Sequence, residues 1–168
     1  MNRSIGRTWR LVLLFIVGLA GSPLTLQSAQ ADGAVNVDKS GVAIQGYDPV
    51  SYFDGAPLKG TAEYAAEWQG ATWHFASAAN RDAFTAEPEK YAPRYGGWCA
   101  YGAAKGYAAE TDPETAWTLH DGKLYLNWDA AVKRDWSEDI PGYLAQSEAN
   151  WPDIEAGLAD GTAKIYRK

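Results

Sequence analysis

The sequence has few of the side chains that bind soft metals or form disulfides: one cysteine, two histidines and one methionine among 168 residues. The single cysteine, Cys99, has no partner for a disulfide within the chain. A closed structural zinc site takes four strong ligands, and a Cu(I) site needs more sulfur than one cysteine supplies. The chain therefore cannot complete either kind of closed site from its own residues.

Basic clusters are also missing, and the formal net charge is −6 at pH 7. A surface of this sign repels phosphate backbones and anionic lipid heads, so nucleic acid is not an expected partner. The chain lacks a glycine-rich phosphate loop and a serine nucleophile elbow, and it has no paired carboxylates of a hydrolase. These absences favour a protein that is not an enzyme, although they leave that question open.

The first residues predict export. Three arginines precede an uncharged run over residues 11–21, and small residues follow at 29–31. This order is typical of a signal peptide, and the run is shorter than the roughly 20 residues that span a bilayer. We expect cleavage after Ala31, no stable membrane anchor in the mature chain, and a periplasmic or secreted location.

The remaining sequence predicts one domain. We expect a flexible arm over residues 32–40, a folded domain with a C-terminal helical extension over residues 41–152, and a tail over residues 153–168. The predicted fold class is α+β, with three to four helices packed on a small antiparallel sheet built from two hairpins.

The two hairpins have clear turn signals. The first turns at Gln-Gly, residues 69–70, and the second at Asp-Gly, residues 121–122, where a two-residue type I′ turn is favoured. The second turn pairs Trp117 with Leu126. Alternation along the strand then places Tyr125 on the face opposite the apolar residues.

Side chains that cap helices mark further boundaries. Ser77 is expected to cap a helix that ends near residue 86, and Asn127 to cap a helix after the second hairpin. A last helix starts near Asp139, and Pro152 is expected to interrupt it. A short strand is predicted over residues 42–44.

Cys99 follows two glycines and lies in the first turn of a short helix predicted over residues 98–105, which Gly106 ends. A helix start stabilises a thiolate and lowers the pKa of the thiol, which would make the sulfur reactive. A free cysteine is also among the residues most often buried as a small apolar side chain. A functional Cys99 and an inert, packed Cys99 both remain open.

Six other residues are candidates to act with Cys99. His74 and His120 are the only imidazoles and could serve as metal ligands or proton carriers. The candidate binding residues lie in turns or beside the cysteine, and they are Tyr47, Asp48, Tyr95 and Trp98. For Asp48 the alternative is turn chemistry, in which its carboxylate accepts hydrogen bonds from nearby backbone N–H groups.

Several short blocks occur in the order found in YHS domains, which they resemble. The blocks are GYDPV at 46–50, WHFAS at 73–77, RDAF at 81–84 and EPEKY at 87–91. Later blocks, YGGWCA at 95–100, DGKLYLN at 121–127 and NWP at 150–152, are similar to the bacterial group of exported YHS domain-containing (seleno)proteins.

This resemblance implies an accessory protein of the bacterial envelope that binds a transition metal, copper or zinc, or carries out thiol redox chemistry. It also implies that Cys99 occupies the position of selenocysteine in some relatives, with a metal ion or an envelope protein as partner. The sequence departs from the metal-binding pattern, because Ser51 and Ala76 stand where thiols are expected. The expected chemistry of Cys99 is binding of a soft metal ion in an open site, or formation of a transient mixed disulfide or a sulfenic acid. The alternative is a structural or protein-interaction module.

Overall fold

The computed structural model describes residues 34–168, so the predicted signal peptide lies outside the described residues. The helices of the described part are α1 (Ala78–Ala86), α2 (Pro88–Tyr91), α3 (Ala100–Ala104), α4 (Ala130–Ser137) and α5 (Ile140–Asp160). The strands are β1 (Thr61–Trp68), β2 (Ala71–Phe75), β3 (Ala108–Ala109), β4 (Trp117–His120), β5 (Lys123–Leu126) and β6 (Ile165–Tyr166). Helices and strands are thus mixed, and the α+β class is confirmed. None of the described helices is both long and apolar enough to cross a bilayer.

Both predicted hairpins are present. β1 pairs with β2 antiparallel, and β4 pairs with β5 in the predicted register, Trp117 opposite Leu126. Asp121 and Gly122 both have positive φ, 48° and 69°, as a type I′ turn requires. The hairpins form two separate two-stranded sheets, and a third pair, β3 with β6, is parallel.

Strand β5 is buried on both faces. Leu124 and Leu126 belong to a first core cluster that also contains Trp73 and Phe75 of β2. Tyr125 lies on the opposite face, as predicted, and there it points to a second core cluster around Trp136 of α4, so that face is buried too. Helix α5 covers this second cluster, which makes the other face of the strand an interior surface.

The two ends of the described chain are integrated into the fold. Ala34 is buried, and its carbonyl accepts a hydrogen bond from Trp98 Nε1 at 2.9 Å. Val35 belongs to the first core cluster, so residues 34 and 35 of the predicted arm are packed on the domain. Within the predicted tail, Ala108 N donates to Lys164 O at 3.0 Å, which holds β6 beside β3.

Helix boundaries follow the predicted caps in part. Ser77 accepts from Asn80 N at the start of α1, as predicted, and the last helix starts after Asp139, whose side chain caps it. Asp129 rather than Asn127 caps α4. Helix α5 continues through Pro152, because tertiary packing of its apolar side chains outweighs the hydrogen bond that proline cannot donate.

The strand predicted over residues 42–44 is not formed: Val42 and Ala43 make only isolated bridges, to Thr72 and Val37, and the chain then enters a left-handed turn. Ile44, Gln45 and Gly46 have φ of 42°, 56° and 76°. A left-handed backbone is unusual for a β-branched side chain, and here Ile44 is buried in the first core cluster. Packing therefore fixes a conformation that local preference does not favour.

Candidate functional site

Cys99 lies at the N-cap position of α3 and is only 2% exposed. Its backbone N–H donates to Ala109 O at 2.9 Å, which ties it to β3. The sulfur accepts from Gly102 N at 3.4 Å and donates to Asn127 Oδ1 at 3.5 Å. The predicted short helix is present but starts at Ala100, two residues later than predicted, and the thiol has defined hydrogen-bond partners.

Burial raises the pKa of the Cys99 thiol above that of an ordinary cysteine. Backbone N–H groups of Gly102, Trp128 and Tyr101 act in the opposite direction, and the charge of Asp129 adds to the increase. The expected lowering by a helix start is therefore outweighed by desolvation. At neutral pH the sulfur is a thiol, not a thiolate.

Cys99 is nevertheless one of the residues that line a pocket of about 220 Å³. Its walls are mostly aromatic and apolar: Tyr101, Tyr107, Ala109, Trp128, Val132 and Tyr166. The rings of Tyr107 and Tyr166 meet edge to face with centroids 4.8 Å apart. Tyr166 is 43% exposed, so the wall it forms borders solvent. Cys99 thus lies on the inner surface of an aromatic pocket.

Asn127 is a site residue that the sequence analysis assigned to a different role. Its Oδ1 accepts from Tyr101 N at 3.1 Å as well as from the Cys99 thiol, and the residue is fully buried. Its Nδ2 has no hydrogen-bond partner among residues 34–168. From its position directly after a predicted strand, Asn127 could cap the next helix or link buried segments by hydrogen bonds. Only the fold distinguishes these two roles.

The two histidines are not in the pocket. His74 lies on β2 near Gly46, where an added Cβ would be 3.7 Å from its Nδ1. His120 lies at the tip of the second hairpin, with Nε2 3.5 Å from the exposed carboxylate of Asp121. In the described part of the chain, no group of three or more histidine, cysteine or acidic side chains could hold a metal ion. The predicted ligands Cys99, His74 and His120 are therefore not brought together, and the residues do not fit a metal centre.

Asp48 has a structural role. It is completely buried, and its carboxylate accepts from Val50 N at 2.8 Å, Ala76 N at 2.9 Å and Asn80 Nδ2 at 2.6 Å. These bonds join the turn before β1 to the end of β2 and to α1. Asp48 therefore has the predicted alternative role, in which its carboxylate accepts hydrogen bonds within a turn. Its bonds to Ala76 and Asn80 are long-range contacts that the sequence did not reveal.

The other three predicted binding residues also lie outside the pocket lining. Tyr47 donates to Glu114 Oε2 at 3.0 Å, and Tyr95 donates to Glu148 Oε1 at 3.0 Å. Burial raises the pKa of both phenols, so both remain protonated donors. The indole N–H of Trp98 donates to the carbonyl of the buried Ala34. These residues connect segments of the fold.

One comparison with known proteins gives a match. Residues 49–95 match the family model of the YHS domain, a segment that runs from the turn before β1 to the turn after α2. This finding supports a protein that contains a YHS domain. The match ends before Cys99, so the pocket is formed by residues beyond it. Neither a curated protein nor a solved structure matches the chain.

The buried Asp48 carboxylate generates a stability prediction. Asp48→Asn keeps the shape but turns one oxygen into an NH₂ group facing N–H donors, so we expect a loss of about 3 kcal/mol in the free energy of unfolding. Urea denaturation measures this change. Asp54→Asn, at an exposed position, should stay within about 0.5 kcal/mol of the unchanged protein. Equal stability of the two variants would refute a structural role for Asp48.

The separated ligands generate a second prediction. A metal ion raises the melting temperature only if it binds the folded state selectively. Because the candidate ligands are not brought together, one equivalent of Zn²⁺ or Cu(I) should leave the melting temperature unchanged. Differential scanning fluorimetry with and without metal tests this, with Cys99→Ala as the matched variant. A rise of several degrees that is lost in Cys99→Ala would show that the thiol does bind metal.

Proposed function

We propose that this protein is an accessory binding protein of the bacterial envelope whose ligand site is the aromatic pocket over Cys99. The observation that carries the proposal is the position of Cys99 among the residues that line a pocket bordering solvent. Ligand sites are concave, mostly apolar and lined by aromatic side chains with few polar groups. A bound molecule would touch the aromatic rings and one thiol.

A thiol in this position supports exchange chemistry. In the reaction with a small disulfide RSSR, a new S–S bond joins Cys99 to one half of RSSR. The original S–S bond breaks, and the other half leaves as RSH with the thiol proton. The N–H groups of Gly102 and Tyr101 near the sulfur would stabilise the thiolate that attacks. A metal centre is not part of the proposal, because the candidate ligands are dispersed.

The export predicted from residues 1–31 supports an envelope location, an oxidising compartment where disulfides form and persist. The match to the YHS domain is compatible with an accessory role. The proposal needs no catalytic turnover, since the raised pKa of Cys99 makes fast thiolate chemistry at neutral pH unfavourable.

A second candidate function is a structural or protein-interaction module in which Cys99 is only packed. Its support is the low exposure of the residue and the hydrogen bond from the thiol to Asn127. The two functions differ in whether a reagent reaches the sulfur in the folded protein.

Alkylation of the folded protein with iodoacetamide separates them. Because the pKa of Cys99 is raised, we expect modification at pH 7.5 to be slower than for a free cysteine peptide, and to accelerate about tenfold per pH unit toward alkaline pH as the thiol ionises. Mass spectrometry identifies the modified residue, and Cys99→Ser should not react.

Two matched valine variants show whether the reagent enters through the pocket. Val132→Ala widens the pocket and should increase the rate several-fold. Val50→Ala removes the same two methyl groups from the first core cluster, where it destabilises without touching the pocket. If the rate instead follows global unfolding, and both variants accelerate it equally, Cys99 is packed and the interaction module is the better description.

A further inference from the structure

The size and walls of the pocket limit what it can hold. About 220 Å³ lies below the 300–1,000 Å³ of sites for drug-sized ligands, so the space suits a molecule of one or two rings. Three tyrosines and one tryptophan present ring faces and edges, which favour an aromatic partner in offset or edge-to-face contact. The sulfur of Cys99 adds a contact that aromatic rings also favour.

Lysine side chains lie against the rings of these walls. Three lysines place their ammonium groups over rings that line the pocket: Lys105 over Tyr101 at 5.1 Å, Lys164 over Tyr166 at 4.9 Å and Lys168 over Trp128 at 5.2 Å. Lys164 also lies over Tyr107, at 5.8 Å. Cation–π contacts of this kind hold the lysine side chains near the rings.

Nearby carboxylates do not neutralise the lysines through ion pairs. Across residues 34–168, none of the three lysines forms a salt bridge. Glu110 instead pairs with Arg167 at 3.0 Å, and Asp129 is used as the cap of α4. The three lysines are exposed and lie beside the cavity, outside its lining, and we call them its rim. Carboxylates lie near them as well, because the backbone N–H of Lys168 donates to Glu110 Oε2 at 2.8 Å.

We infer that the pocket over Cys99 binds a small aromatic molecule of one or two rings that carries a carboxylate or a similar anionic group. This inference rests on the proposed function, and it specifies the class of ligand. The ring occupies the space between the tyrosines and Trp128, and the anionic group lies at the rim within reach of the lysine ammonium groups. Such a ligand combines apolar burial with charge attraction that a neutral analogue lacks.

The probes are 2-naphthoate and its neutral analogue 2-naphthamide, titrated into the full folded chain by isothermal calorimetry or equilibrium dialysis at low salt. We expect 2-naphthoate to bind about tenfold more tightly than 2-naphthamide, and added salt to reduce this difference. Cyclohexanecarboxylate, which has the charge without the aromatic ring, should bind more weakly than 2-naphthoate.

Lysine variants test the rim. Lys164→Gln should weaken 2-naphthoate by about two- to fivefold and leave 2-naphthamide unchanged. Lys133→Gln is the matched control, because Lys133 lies over an indole outside the pocket, that of Trp117 at 5.6 Å, and this variant should bind both probes normally. Equal loss in both variants, or loss of the neutral probe as well, would overturn the role of the rim.

The outcomes distinguish this inference from the proposed function. Equal affinity for the acid and the amide would overturn the anionic class but retain a pocket that binds ligands. If neither probe binds while iodoacetamide still reaches Cys99 in the folded protein, the inference fails and the proposed function stands. If neither probe binds and the sulfur is also unreactive, both fail. Bound 2-naphthoate that slows alkylation of Cys99 in the unchanged protein would support both.

Discussion

The burial of β5 on both faces is the constraint on which the rest of the structure depends. One strand of four residues separates two core clusters, with Leu124 and Leu126 on one side and Tyr125 on the other. A strand in this position has no wet face, so the C-terminal helices must cover it. The YHS-type segment and the C-terminal part of the chain are consequently halves of one structure that share this strand.

The same strand determines the state of the sulfur. Asn127 follows β5 directly, and its buried amide oxygen accepts from both the Cys99 thiol and the N–H group of Tyr101. The start of α3 is thereby attached to the end of β5. Two opposing influences act on the thiol: desolvation favours the protonated form, and the converging backbone N–H groups favour the anion. Desolvation is the larger of the two influences, so the thiol stays protonated at neutral pH. The pocket is therefore suited to binding or to slow thiol exchange, and not to fast nucleophilic attack by a thiolate.

What could be predicted from the sequence follows from the range of each signal. The hairpin at residues 121–122 was predicted with its register, because an Asp-Gly turn and strand alternation are local. The burial of Tyr125 was not, because alternation shows which side chains share a face and cannot show what covers that face. The pocket was missed for a similar reason: Tyr107, Trp128 and Tyr166 meet Cys99 only through the parallel pairing of β3 with β6 and the packing beside α4. The turn at Asp48 can be predicted from the local sequence. Its bonds to Ala76 and Asn80 cannot, because they join residues about thirty positions apart.

The parallel pair β3 and β6 has a kinetic consequence. It contains only two residues per strand, joins positions more than fifty residues apart, and carries Tyr166 as its outermost ring. Short peripheral strands open with free energies well below that of global unfolding. Fraying of the C-terminal strand would remove one wall of the cavity while both core clusters stay intact, so access to the interior can be controlled by the last few residues without a hinge between domains.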